Sequence, residues 1–156
     1  MKRLIWMLAA AAALSACAGG QSGRDEVLSS DTEKTVEQDE LRVRETQTLS
    51  ALAKLEEAIA AYIGAEKRIP DSLDQLVPKY LAEIPTVEID VRGHRDNNLV
   101  QVYPASILRD GQIDGTMLKD TGRWGYVHND RQVVIFVDCI HRSHQGRAWY
   151  QQHGVY

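Results

Sequence analysis

The chain is poor in the residues that build special architectures. It has two cysteines, four prolines and one phenylalanine in 156 residues. Two cysteines exclude a disulfide-scaffold fold. The low proline content, with no glycine period, excludes a collagen-like chain. Neither charge sign dominates, since 18 basic side chains face 22 acidic ones, which excludes a strongly basic nucleic-acid binder. Long hydrophobic runs are missing too. The longest covers residues 4–14, and eleven helical residues rise only about 17 Å against a hydrocarbon core of roughly 30 Å. A polytopic membrane protein is therefore excluded, and with 44% apolar residues so is a wholly disordered chain. No Gly-x-Ser-x-Gly, His-Glu-x-x-His or phosphate-cradling glycine loop occurs. The expectation is a protein that is not an enzyme.

What is present begins at the N-terminus. Lys2 and Arg3 precede the apolar run, and Leu14-Ser15-Ala16-Cys17 follows it. A basic start, a short apolar core and small exit residues make an export signal. The tetrapeptide resembles the lipobox of bacterial lipoproteins. That resemblance implies removal of residues 1–16 and acylation of Cys17, anchoring the protein to a membrane. More than one acyl chain is needed for stable attachment. Ala18, in place of the aspartate that commonly retains such proteins at the inner membrane, points to the outer membrane, facing the periplasm.

Residues 17–40 are expected to be the lipidated cysteine and a tether. Residues 18–30 hold three glycines and three serines, and 31–40 are mostly charged, suiting either a fraying helix or a linker. The folded domain is expected over 41–156. Leu49, Leu52, Leu55, Ile59, Tyr62 and Ile63 recur at steps of three and four, predicting a helix over 41–65 whose stripe packs on a sheet in cis. Gly64 weakens its end and Pro70 forbids continuation. Asp71, with Asp74 three places on, suggests a capped second short helix. Strand patterns cover 86–91, 99–103, 125–127 and 132–138, the last a fully apolar run suited to a central strand. Together these predict an α+β domain in which a long N-terminal helix packs on a small antiparallel sheet of about four strands, plus a short second helix.

The order of these elements, with Ala58-Ile-Ala-Ala-Tyr62, Arg68-Ile-Pro-Asp-Ser-Leu-Asp-Gln-Leu-Val-Pro-Lys-Tyr-Leu81 and Gly122-Arg-Trp-Gly-Tyr126, resembles the globular part of type IV pilin-like proteins. The likeness is strongest to the major pseudopilins of type II secretion and covers 49–139. It implies a pilin-like fold and an envelope protein partner in a secretion or pilus-type system. The hydrophobic half-helix that stacks pilins into filaments is replaced here by a lipobox and a polar segment, so filament assembly is not expected to transfer.

Three groups of residues have chemical potential. Cys139, His141 and His144 are competent zinc ligands, with Asp138 or His153 as a fourth, and period-two geometry places 139 and 141 on one side. Alternatively Cys139 is a small apolar residue at a strand end and the histidines lie on a loop. Asp110 and Asp114, with Asp120 further on, carry the oxygens and glycines of a calcium loop without the EF-hand spacing, or simply make turns. Trp149 and Tyr150, beside Arg142, Arg147 and His153, either fold back onto the sheet or form an interaction surface. Trp124 and Tyr126 share a strand face and are expected in the core beneath the helix.

Overall fold

Where apolar residues return every three or four positions, a helix buries one face and leaves the others wet. In the computed structural model, which describes residues 22–154 and their side chains from Glu33 to Gly154, that pattern forms α1, Ser22–Glu66. The lipobox and Cys17 lie outside the described residues. The chain divides between Thr35 and Val36, and the core, the sheets and the site described below belong to the unit that begins at Val36. Residues 22–40, expected within the tether, are helical. Residues 33–40 are exposed throughout. The helix ends at Lys67, whose φ of 57° is left-handed and whose N–H bonds the Ile63 carbonyl. Gly64, expected to weaken that end, sits inside the helix.

The predicted stripe is the buried one. Leu52, Leu55, Ile59 and Tyr62 are in the core, with Leu49 and Ile63 packed at its margin. A charged residue of the same helix, Glu45, is also buried, only 5% exposed.

Among the described residues five strands follow: β1 (Val100–Tyr103), β2 (Leu108–Arg109), β3 (Gln112–Ile113), β4 (Trp124–His128) and β5 (Val133–Val137). They form a three-stranded sheet in the order β1-β4-β5 and a separate β2-β3 hairpin. β4 and β5 are antiparallel, but β1 and β4 are parallel, so the sheet is mixed rather than antiparallel. Parallel pairing needs a connection of a dozen or more residues, and residues 104–123 supply it.

β5 lies at one edge of this sheet, not at its centre. Its apolar run reports cover on both faces. Val133, Ile135 and Val137 face the core that includes α1, while Val134 and Phe136 join Tyr103, Ile107 and Ile113 in a second cluster. Gly125 makes that second layer possible, since a Cβ there would stand 2.3 Å from the Phe136 ring. Trp124 and Tyr126 are buried beneath α1 as expected. The indole N–H of Trp124 donates to the Pro85 carbonyl at 2.7 Å, and the Tyr126 hydroxyl donates to the Pro70 carbonyl.

Two further expectations are corrected. Residues 86–91 are not a strand in either sheet. Val87 and Ile89 point inward as their alternation requires, yet the only bridge there is Val87 with Asn97. The Thr48 hydroxyl of α1 takes a neighbour strand's place, donating to the Glu88 carbonyl and accepting from its N–H, both at 2.8 Å. The second helix is a single 3-10 turn, Leu73–Leu76, preceded by Ser72 rather than capped by Asp71. Asp71 instead accepts hydrogen bonds from Arg68 and the Gln75 amide.

Candidate metal site

The site is assembled from three stretches of chain meeting at the end of the sheet where β4 begins and β5 ends. The first is the loop carrying His94. The His94 N–H bonds the Val91 carbonyl, and the loop is clamped by an Arg44–Asp96 ion pair at 2.6 Å to α1. The Asn97 amide also reaches the Gly122 carbonyl.

The second stretch is the turn before β4. Asp120 has a left-handed φ of 55°, a conformation that aspartate tolerates better than most residues. The Asp138 carboxylate secures this turn, accepting from the Thr121 hydroxyl at 2.6 Å and its N–H at 3.2 Å. At Gly122, φ is 67° and a Cβ would lie 2.7 Å from the His94 ring, so glycine leaves the space in which that imidazole sits.

The third stretch is the tail after β5. It turns back so that the Trp149 N–H bonds the His141 carbonyl and the Tyr150 N–H bonds the Cys139 carbonyl.

Four side chains converge there. The donor atoms of His94, Asp120, Cys139 and His141 all lie within 4.8 Å of one another. Asp120 Oδ1 stands 3.3 Å from His94 Nε2 and 3.6 Å from His141 Nδ1. Cys139 Sγ is 3.5 Å from the same His141 nitrogen. The two imidazole rings meet edge to face at 5.7 Å. Burial is graded across the group. Cys139 is fully buried and the His94 side chain 6% exposed, whereas Asp120 is 27% and His141 50% exposed. The Ile140 N–H donates to Asp120 Oδ1 at 3.0 Å and fixes the carboxylate. His94 Nε2 is buried and makes no hydrogen bond.

Burial pushes the Cys139 thiol up to about 12, and the carboxylates of Asp120 and Asp138 push the same way. An activated cysteine nucleophile needs the opposite shift. It also needs a base whose second nitrogen is held by a third group. Here Cys139 and Asp120 both face Nδ1 of His141, so Asp120 does not hold the second ring nitrogen as the third member of such a relay would.

The sequence therefore located half of this group. Cys139 and His141 are brought together, while His144 is not among them. Within the turn at residues 143–146, His144 Nδ1 and its backbone N–H both meet Glu45 Oε2 at 3.1 Å. Asp138 serves the turn, and His153 lies beside Gly154. His94 was missed and Asp120 was read only with Asp110 and Asp114, since no local spacing links either to Cys139.

Asp110 and Asp114 form no ligand cluster among the described residues. Asp110-Gly111, with φ of 52° and 76°, is the tight turn of the β2-β3 hairpin. The Asp114 carboxylate accepts from the Thr116 hydroxyl and N–H and pairs with Arg109. Trp149 is buried in the core and Tyr150 packs on the second cluster, so of the two readings for this pair the fold-back is the one observed.

No family model, no curated protein and no solved structure matches this chain. Its class is therefore defined by its architecture alone, an α+β domain of one long helix with small sheets of three and two strands.

Proposed function

We propose that this chain is a lipoprotein of the bacterial envelope, held at the outer membrane through acyl groups on Cys17 and facing the periplasm. Its α+β domain, read as pilin-like, serves as a non-catalytic interaction and structural module. The observation that carries this reading is Leu14-Ser15-Ala16-Cys17 at the exit of an eleven-residue apolar run.

The helix supports the module reading. Its apolar stripe from Leu49 to Ile63 packs on the chain's own sheet. The partner expected from the pilin-like order of elements is a component of a secretion or pilus-type system.

Fractionation of the Cys17→Ser variant tests the anchor. The expected result is loss of the protein from the membrane fraction, or accumulation of the unprocessed form. Unchanged membrane attachment would overturn it.

A further inference from the structure

We propose that His94, Asp120, Cys139 and His141 form a zinc(II) site that staples the C-terminal tail to the sheet. This inference does not rest on the lipid anchor. Its ligand set differs from the sequence-adjacent trio, because His144 is replaced by two residues distant in the chain.

The geometry suits the ion. Zinc holds sulfur at about 2.3 Å and imidazole nitrogen or carboxylate oxygen at about 2.0–2.2 Å in a tetrahedron, which puts donors about 3.3–3.7 Å apart. The three separations at the group's centre are 3.3, 3.5 and 3.6 Å. Those separations match tetrahedral edges, and the remaining pairs, within 4.8 Å, close by up to about 1 Å when the ion is held. One thiolate, two imidazoles and one carboxylate fill four positions, which makes a closed structural site without an open catalytic position.

The second observation concerns burial. The His94 side chain is 6% exposed, and its Nε2, though 3.3 Å from Asp120 Oδ1, makes no hydrogen bond. A buried polar atom of this kind costs free energy unless something satisfies it. A cation held between it, the carboxylate and the sulfur would do so. Surrounding groups hold the ligands in position: Gly122 leaves the space for His94, and the Ile140 N–H fixes Asp120. His141 is the exposed member and offers the ion its way in.

The consequence is mechanical. The three ligated stretches are the loop clamped to α1 by Arg44, the turn before β4 and the start of the tail that carries Trp149 into the core. A zinc ion there ties all three at one point, as structural zinc does in small domains.

The test uses the full-length protein solubilised in detergent, with zinc(II) and cobalt(II) as probes. One equivalent of zinc should survive dialysis and raise the melting temperature. Cobalt should give a thiolate-to-metal charge-transfer band with tetrahedral ligand-field absorption. His94→Gln and Asp120→Asn, which keep side-chain size, should each weaken zinc binding by about 100-fold or more, while His144→Gln leaves it unchanged. Cys139→Ser should abolish the charge-transfer band. Its buried position makes folding uncertain for that variant, so His94→Gln decides. Absence of retained zinc, retention unaffected by His94→Gln, or equal sensitivity to His144→Gln would each overturn the proposal.

Discussion

Three residues along the tail separate two contacts of the same kind. His141 meets Asp120, and His144 meets Glu45, each with an imidazole nitrogen between 3.1 and 3.6 Å from a carboxylate oxygen. The surroundings make them different devices. At Glu45 one oxygen receives both the ring nitrogen and the backbone N–H of His144. Those two contacts join the tail to α1, so the arrangement is a clasp. At Asp120 the carboxylate faces two rings beside a thiol, and His94 Nε2 is left without a hydrogen bond. The lesson is that a histidine–carboxylate distance alone does not mark a metal site. Convergence of further donors, a second ring and a thiol about one carboxylate, is what separates the group at Asp120 from a clasp, since Glu45 Oε1 is itself buried without a hydrogen bond.

Substitutions that enter one device and leave the other alone break or sharpen this contrast. Outside the four ligands themselves, the largest effect is expected at Gly122. In Gly122→Ala the added methyl meets the His94 ring at a left-handed backbone position. Zinc affinity should fall by at least tenfold, and stability by about 1–3 kcal/mol. Competition with a chromophoric chelator and urea unfolding measure the two. Next comes Glu45→Ala, which removes both bonds to His144. Unfolding should cost about 1–2 kcal/mol less, with zinc affinity unchanged. A change in zinc affinity there would merge the two devices.

The smallest effect concerns His153 at the end of the tail. Burial holds its imidazole below the ordinary 6.5, more than nearby Glu56 restores. The folded state therefore resists the proton that the unfolded chain accepts. Its contribution is fully present above 6.5 and is lost as pH falls through the lower folded-state value. Urea midpoints should drop more on acidification for the native chain than for His153→Gln. Equal drops would show that His153 plays no part.

How much of this was legible in the sequence follows from what periodicity can encode. The α1 stripe was readable because burial on one side of a helix imposes a period of 3.6. The inward residues of 86–91 were equally readable, since Val87 and Ile89 do face the core. Their lack of a strand partner was not. Alternation records which way a side chain points, whereas the partner here is the hydroxyl of Thr48, far back in the chain. Parallel pairing of β1 with β4 was hidden for a related reason. The crossover is built from 3-10 turns and a short hairpin rather than the long helix that usually signals one. Asp110-Gly111 was readable as turn material, the alternative to a calcium loop, and it makes the β2-β3 hairpin turn.

At the site, Cys139 and His141 were legible because two residues along extended chain share a side. His144 misled because the turn at 143–146 redirects it to α1. His94 and Asp120 arrive from other loops, and only the fold brings them to the sulfur.

The central claim is that zinc binds one sulfur, two imidazoles and one carboxylate at the tail. Zinc X-ray absorption on the purified full-length protein addresses it most directly. The account predicts one sulfur at about 2.3 Å and three nitrogen or oxygen scatterers at about 2.0–2.2 Å. A shell without sulfur, or with two, would contradict it.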